Sequence, residues 1–206
     1  MTLVSRIERL FDPRGSARRP APRGAGVGAL AHALQCAQLA EWAELGEPMV
    51  AAALLHDIGH LLGDAHQAHE ASGAALLAGA FGPAVVEPVR LHVEAKRYLV
   101  TVHPRYARNL SPASRRALAR QGATMDAEEV RRFESTPFAQ EAVMLRRLDD
   151  VANQPGRTTP PLAHYLAVRE RLRCYTAPRQ ESASCEAAEG AGARPRTLRQ
   201  KDWQAP

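Results

Sequence analysis

The amino-acid sequence predicts an all-α protein, a bundle of helices around one buried core. Three observations support this prediction. Apolar residues recur at spacings of three and four along successive segments, which is the periodicity of helices with a buried face. Proline and small polar residues stand where these segments begin, and glycine stands where several of them end. The sequence contains neither a sustained alternating run nor an Asn-Gly or Asp-Gly hairpin signal.

The helices follow in chain order from these signals. A short amphipathic helix precedes a loop over residues 12–26, and a helix with two apolar stripes begins at Val27. Pro48 stands in the first turn of the next helix, where its missing N–H costs nothing. His103-Pro104 is predicted to open a loop. The predicted helices cover residues 5–11, 27–45, 49–62, 67–80, 83–100, 112–120, 126–134, 138–152 and 161–172.

Capping residues mark three of the later helices. Ser111 is predicted to cap a helix that has Pro112 at its first position, and Asp126 with Glu129 forms a capping-box pattern. The long helix that follows Pro137 ends in Asp149-Asp150. Acidic residues at a helix C-terminus oppose the helix dipole, so this pair requires a cation nearby.

The length of 206 residues suits one domain with a substantial core. The net charge of +5 lies in the flanks. Residues 1–27 have six basic and two acidic side chains, residues 173–206 have six and four, and residues 28–172 have fifteen and sixteen. We therefore predict an N-terminal arm and loop over 1–26, partly flexible, a folded domain over 27–172, and a disordered low-complexity tail over 173–206.

Charge and composition also limit the partners. Because the central region is nearly neutral, no nucleic-acid-binding surface is predicted, and no apolar run reaches the roughly 18 residues of a membrane span. Three cysteines, an odd number without metal-binding spacing, are typical of a reducing cytoplasm, and Cys36 is predicted to be a small core residue. We expect a cytoplasmic protein that is a monomer or a weak homodimer.

The chain is organised around the segment Leu54–Leu62, an aliphatic run interrupted by His56, Asp57 and His60. Burying such groups is costly unless they are paired or ligate a metal. On a continuous helix, His56 and His60 project from the same face, and Asp57 beside them can direct one carboxylate oxygen to each side. The segment predicts metal ligands with a bridging carboxylate; the alternative is a buried helix whose polar groups bond only each other.

Other inward-facing residues join this motif. His32 lies on an apolar stripe of its helix, and Lys96 follows His92 by one turn. Together with the central motif, the inward-facing residues offer more imidazole and carboxylate ligands than one ion needs. Mixed nitrogen and oxygen ligation suits iron, manganese or another first-row metal. Two metals bridged by Asp57 is the economical arrangement, and zinc alone or magnesium alone fits less well. The candidate ligands are His32, His56, Asp57, His60, His69, His92 and Asp149.

The order His32, His56-Asp57, Asp149 resembles the HD-domain superfamily of all-helical, metal-dependent proteins, so the folded domain is expected to be an HD domain with a dinuclear site in its core. Several segments, within residues 26–165, are similar to the HD proteins associated with phosphonate degradation. They are residues 30–35 (LAHALQ), 52–62 (AALLHDIGHLL), 69–70 (HE), 87–99 (EPVRLHVEAKRYL), 110–114 (LSPAS) and 145–150 (LRRLDD).

Characterised members of that branch are mixed-valent Fe(II)/Fe(III) di-iron oxygenases. They use O2 to cleave the carbon–phosphorus bond of 1-hydroxy-2-aminoethylphosphonates or their N-methylated relatives. The resemblance therefore implies release of inorganic phosphate from a small 1-hydroxyphosphonate by this chain. It also implies that one iron is held by His32, His56, Asp57 and Asp149, and the other by Asp57, His69 and His92.

The same resemblance assigns the substrate contacts. His60, as a hydrogen-bond donor, and Lys96, as a point charge, would hold the phosphonate, and with Asp57 they are the catalytic candidates. Ser114 and Gln121 are weaker substrate-binding candidates, taken from similar positions. Asp150, in place of Asp149, is the alternative ligand, or it could orient a ligating histidine from behind.

The sequence departs from the family pattern just before the first histidine helix. Members carry there a tyrosine that caps the metal at rest and a glutamate that meets the substrate's amino group. Residues 20–26 (PAPRGAG) contain neither, and Ala31 replaces the glutamate that usually precedes the histidine. The metal site can survive this difference, but an ammonium-bearing substrate lacks its predicted partner.

Three function classes follow from the sequence. The first is the di-iron oxygenase, and the second is an HD phosphohydrolase in which the same ligands activate water against a phosphate ester. The third is a non-catalytic HD protein, which the altered loop suggests. The absence of a glycine-rich phosphate loop removes the common nucleotide-binding classes.

Overall fold

The computed structural model describes residues 3–12, 27–62 and 68–167. Within these ranges the chain forms helices and turns and no β-strand, which confirms the all-α prediction. None of the helices described is long and apolar enough to cross a membrane. The helices are α1 (Leu3–Phe11), α2 (Ala29–Trp42), α3 (Glu47–Leu55), α4 (His69–Ala78), α5 (Pro83–Val102), α6 (Pro104–Asn109), α7 (Pro112–Arg120), α8 (Ala127–Ser135) and α9 (Ala139–Val151), with a 3-10 helix at Ile58–Leu61 and helical residues at 162–167.

The long helix α5 is the centre of the bundle. It packs against α3, α4 and α9, while α2 packs against α3 and α9. The main apolar cluster contains residues of the helices α1, α2, α3, α4 and α5 and of the second half of α9. Ile7 and Phe11 are the residues by which α1 packs into it. A smaller cluster joins Leu91 of α5 to Phe133 of α8 and to the first half of α9. The predicted ligands lie along the helices that form the main cluster.

The capping predictions are confirmed. The Ser111 hydroxyl accepts a hydrogen bond from the Ser114 backbone N–H at 3.1 Å, with Pro112 at the first position of α7. At the start of α8, the Asp126 side chain accepts from two backbone N–H groups and the Glu129 side chain accepts from the Asp126 N–H, which completes the capping box. Both helices therefore begin where the sequence predicts.

The prediction of one continuous helix over Met49–Leu62 is wrong beyond Leu55. The α3 helix ends at Leu55, and His56 and Asp57 form a turn before the 3-10 helix. Asp57 has φ −97° and ψ 6°, in the sparsely allowed region where many active-site residues lie. The turn brings the backbone at Gly59 against the first residue of α4, so close that a Cβ on Gly59 would lie 1.9 Å from the His69 carbonyl oxygen.

The loop predicted at His103-Pro104 is also wrong. The chain forms α6 at once, with Pro104 at its first position and His103 extended as the N-cap. Proline ends a preceding helix, but it also suits the first turn of a new one, and the second property decides this case. Residues 13–26 of the predicted loop, residues 168–172 of the last predicted helix, the predicted tail over 173–206 and His66 lie outside the described residues, and the division into three parts stays a prediction.

The contact at Gly59 yields a test of the turn. We expect Gly59→Ala to lower the free energy of unfolding by about 2 kcal/mol or more, because the added methyl group meets backbone and must displace α4. Denaturant unfolding of the metal-free protein measures this change. The control is Gly79→Ala, where a Cβ meets no atom within 4 Å. Equal stability of the two variants would contradict the close approach.

Candidate metal centre

The fold brings the predicted ligands to one place from five parts of the chain. His32 comes from α2, His69 is the first residue of α4, and His92 lies in the middle of α5. His56 and Asp57 form the turn after α3. Asp149 stands near the C-terminal end of α9, so residues more than a hundred positions apart in sequence share one buried site.

The Asp57 carboxylate divides the cluster into two groups. Its Oδ2 atom lies 3.8 Å from His32 Nε2 and 3.5 Å from His56 Nε2. Its Oδ1 atom lies 3.6 Å from His69 Nε2 and 4.0 Å from His92 Nε2. Each oxygen therefore faces a different pair of imidazoles, which is the arrangement of a carboxylate between two cations.

Asp149 completes the group on the Oδ2 side. Its Oδ1 atom lies 3.2 Å from His32 Nε2 and 3.8 Å from His56 Nε2. Its Oδ2 atom accepts a hydrogen bond from Arg146, which also bonds Asp150. Despite burial, Arg146 and the two histidines hold the pKa of Asp149 well below its usual range. The geometry thus places Asp149 beside the imidazoles and Asp150 behind Arg146.

Three of the imidazoles are oriented by backbone carbonyls. The Nδ1 atom of His32 donates to Ala152 O at 2.7 Å, that of His56 to Ala53 O at 2.9 Å, and that of His92 to a carbonyl one turn earlier in α5 at 2.7 Å. Because a carbonyl can only accept, each Nδ1 carries a proton, and each Nε2 is directed into the cluster. Carbonyl-bonded Nδ1 atoms are typical of metal-ligating histidines.

Two further observations support a pair of cation positions. His56 Nε2 is fully buried and has no hydrogen-bond partner among the described residues, although a buried nitrogen of this kind normally has one. His69 Nε2 and His92 Nε2 lie 3.1 Å apart. Two nitrogens that bind one first-row metal at about 2.1 Å and at a right angle have nearly this separation. The residues present therefore fit two metal ions.

The electrostatics of the site also favour cations. Burial lowers the pKa of His32, but Cys36 and Asp149 outweigh it and raise the pKa to about 11. Burial likewise opposes protonation of His56, yet Asp57 and Asp149 raise its pKa. The buried carboxylates thus draw positive charge to His32 and His56, whereas burial and His56 lower the pKa of His92 to about 3. A metal ion would supply positive charge without a proton.

Glu70 orients the histidine at the start of α4. Its Oε2 atom lies 3.1 Å from His69 Nδ1, on the opposite side of the ring from Asp57. Partial burial raises the pKa of Glu70. A carboxylate in this position fixes the ring and increases its basicity toward a metal. Glu70 therefore does for His69 what backbone carbonyls do for the other three histidines.

A cavity of about 670 Å³ opens beside the cluster. The predicted substrate contacts His60, Lys96, Ser114 and Gln121 all line it. Lys96 is only 4 % exposed, so it is no ordinary surface lysine. The Gln121 Oε1 atom is buried and has no hydrogen-bond partner among the described residues. The structure thus brings all four residues to the cavity that borders the ligands.

Sequence reasoning missed several residues here. Arg120 lines the cavity, and Tyr106 donates to Asp150 Oδ2 at 2.6 Å behind the site. Cys36 is buried as predicted, but its Sγ atom lies 3.6 Å from His32 Nε2. Its spacing of four residues from His32 on one helix is the signal that could have placed it there. Nothing local in the sequence marks Arg120 or Tyr106.

The fold and the cluster define the class, an all-helical protein whose buried histidines and aspartates can hold two cations. The family model described as HD domain matches residues 29–153. The chain therefore belongs to the HD-domain family, and its ligand candidates from His32 to Asp149 lie within the matched region.

Three similar proteins indicate which branch of the HD-domain family the chain resembles. Hydroxymethylphosphonate dioxygenase of Gimesia maris is 46% identical over 146 residues, which are 66% of this chain and 73% of that protein. The [1-hydroxy-2-(trimethylamino)ethyl]phosphonate dioxygenase (glycine-betaine-forming) of Leisingera caerulea is 35% identical over 179 residues, 82% of this chain and 90% of that protein. An uncharacterized protein of Acanthamoeba polyphaga mimivirus is 38% identical over 149 residues, 66% of this chain and 67% of that protein. The resemblance to the phosphonate-oxygenase branch is confirmed.

The role of Glu70 can be tested by metal affinity. We expect Glu70→Gln to weaken one of two metal-binding steps by about 10- to 100-fold and to leave the other unchanged, because only the His69 group loses its orienting carboxylate. Competition with a chelator of known affinity measures both steps. The matched control is Glu128→Gln, an exposed glutamate of α8. Two unchanged steps would show that Glu70 does not support a metal ligand.

Proposed function

We propose that the chain is a di-iron, O2-dependent oxygenase that cleaves the carbon–phosphorus bond of a 1-hydroxyphosphonate and releases inorganic phosphate. The observation that carries this proposal is Asp57, with its two oxygens directed at two pairs of imidazoles beside a cationic cavity. The names of two relatives at 46% and 35% identity agree with it. Iron is preferred over zinc because O2 chemistry needs a redox-active metal with nitrogen and oxygen ligands.

The proposed ligands follow from the two groups. His32, His56 and Asp149 would hold one iron, His69 and His92 the other, and Asp57 would bridge them. When bound, the irons supply the redox chemistry that activates dioxygen. The protein contributes the positions of the ligands, the exclusion of water from the buried side and the binding of the substrate in the cavity.

The cavity suits a doubly charged phosphonate. Lys96, Arg120 and Arg146 line it, and a buried ammonium interacts with an anion far more strongly than an exposed one. His60 Nε2 lies 3.7 Å from Asp57 Oδ1, and the His60 ring stacks on His69, which fixes it between the ligands and the cavity. We assign Lys96 and His60 to the phosphonate oxygens, with Ser114 and Gln121 as further hydrogen-bonding partners.

The same lining argues for a substrate without an ammonium group. Asp149 and Asp150 are the carboxylates that line the described cavity, and Arg146 bonds both. Neither is available to a cationic substituent, and the loop over residues 20–26 contains no acidic residue. We therefore propose hydroxymethylphosphonate, which carries no amino group, as the substrate. With it the reaction balances as hydroxymethylphosphonate and O2 giving formate and phosphate, without an added reductant.

Metal content tests the proposed centre. We expect protein loaded with Fe(II) without oxygen to retain about two irons per chain after gel filtration, and Asp57→Ala to retain less than one, because both positions lose the bridge. Elemental analysis measures the ratio. Asp12→Ala, which changes an exposed aspartate of the N-terminal segment, is the control. One iron, or a single zinc at full occupancy, in the unmodified protein would overturn the dinuclear proposal.

Turnover tests the reaction and the substrate. We expect the iron-loaded protein to release phosphate and formate from hydroxymethylphosphonate in air, and to act at least about tenfold less efficiently on 1-hydroxy-2-(trimethylamino)ethylphosphonate, whose cation has no carboxylate partner. Phosphate assays with and without oxygen give the comparison. Equal release without oxygen would mean hydrolysis instead, and equal efficiency on both compounds would contradict the assignment of the substituent.

A further inference from the structure

A second cavity of about 850 Å³ is lined by residues of α6 and α9 and adjoins the cavity that borders the predicted metal ligands, which we call the metal cavity. Arg105 and Arg108 of α6 and Arg147 of α9 line it, and we call it the arginine groove. Arg105 and Arg108 are three positions apart, so they lie on one side of the short helix. The groove thus collects three guanidinium groups from two helices.

These arginines are not engaged in the fold. Among the described residues none of the three guanidinium groups has a hydrogen-bond or ion-pair partner, whereas Arg90, Arg97 and Arg146 each have carboxylate partners. The carboxylate that lines the groove is Asp150, and it is already bonded by Arg146 and Tyr106. The groove therefore has a local excess of positive charge in a domain that is otherwise nearly neutral.

The groove adjoins the metal cavity through shared residues. Tyr106, Asn109 and Asp150 line both spaces. The Tyr106 hydroxyl donates to Asp150 Oδ2 at 2.6 Å and accepts from Arg146 Nε at 3.2 Å. Arg146 in turn bonds Asp149, so a chain of hydrogen-bonded side chains connects Tyr106 and Asp150, which line both cavities, to Asp149.

We propose that the arginine groove is a second anion-binding site, for a doubly charged tetrahedral oxyanion of the phosphonate or phosphate type. Guanidinium groups match such oxygens in charge and in paired hydrogen-bond geometry. The site holds the anion beside the metal cavity and raises its local concentration there. Its use by substrate rests on the proposed function, whereas anion binding itself does not.

The chemistry of the groove favours a small dianion over nucleic acid. Single strands are bound by basic channels whose aromatic side chains stack on successive bases. Among the residues that line the groove, His103 and Tyr106 have aromatic rings, and the Tyr106 hydroxyl is bonded to Asp150 and Arg146, so the groove offers no series of free stacking rings. Three arginines confined to one groove match the charge of a small dianion better than that of an extended polyanion.

Equilibrium binding tests the site directly. In calorimetric titration of the iron-loaded protein with inorganic phosphate, without oxygen and at low ionic strength, we expect two sites. A triple variant, Arg105→Gln with Arg108→Gln and Arg147→Gln, should lose one of them. The matched control replaces Arg115, Arg116 and Arg131, exposed arginines of α7 and α8, by glutamine and should keep both. Denaturant midpoints show that both variants are folded.

Steady-state kinetics test whether anion binding in the arginine groove raises the rate of substrate capture. We expect the groove variant to keep kcat on hydroxymethylphosphonate and to lose about tenfold in kcat/KM at low ionic strength, with the difference disappearing in high salt. The control variant should match the unmodified protein in both parameters.

Several outcomes would overturn the proposal. One phosphate site in the unmodified protein, or equal losses in the groove and control variants, would show that the arginines form no specific site. Tighter binding of a single-stranded oligonucleotide than of phosphate, lost in the groove variant, would assign the groove to nucleic acid. Two phosphate sites without any turnover of phosphonate would leave the anion site standing and overturn the proposed function alone.

Discussion

The structure depends on one constraint, the burial of several imidazole nitrogens and two carboxylates at the junction of five parts of the bundle. Such groups are tolerated in a core only when each atom has a partner. The backbone satisfies one side of three rings, since Ala53, Val89 and Ala152 accept from the Nδ1 atoms. The other side of each ring faces Asp57 or Asp149, and bound cations would complete the pairing. The packing of the apolar helix faces and the pairing of the polar groups at the centre of the bundle therefore depend on each other.

Much of this arrangement follows from local sequence. Helical periodicity predicts the bundle, caps such as Ser111 and Asp126 predict where helices begin, and the placement of His56 and Asp57 within an aliphatic run predicts a buried polar centre. These features depend on residues a few positions apart. Asp149 is predicted from its unfavourable position at a helix C-terminus and from the family resemblance. Only the three-dimensional structure shows that it lies within 3.8 Å of two imidazoles and that Arg146 bonds both it and Asp150.

What the sequence could not provide is contact between distant segments. The turn at His56 and Asp57 depends on the approach of α4 to Gly59, which no helical periodicity records. Likewise α6 begins at a proline that is equally typical of a loop. The cationic lining of the two cavities joins residues of α5, α6, α7 and α9. The net charge of the folded region is nearly zero, so the charge counted along the sequence does not reveal this clustering.

The two halves of the centre differ in how firmly they are held. His32 and His56 lie in the main core and are almost completely buried, and the carbonyls that orient them belong to the end of α9 and the body of α3. On the other side, His92 is also buried and bonded to a backbone carbonyl, but His69 is the first residue of its helix, is oriented by a side chain and has 12% of its own side chain exposed. The centre therefore has an anchored half and an accessible half. If the centre holds two ions as proposed, the accessible half is the one that would exchange its ion with the medium while the bundle stays folded, so its occupancy would follow the supply of metal.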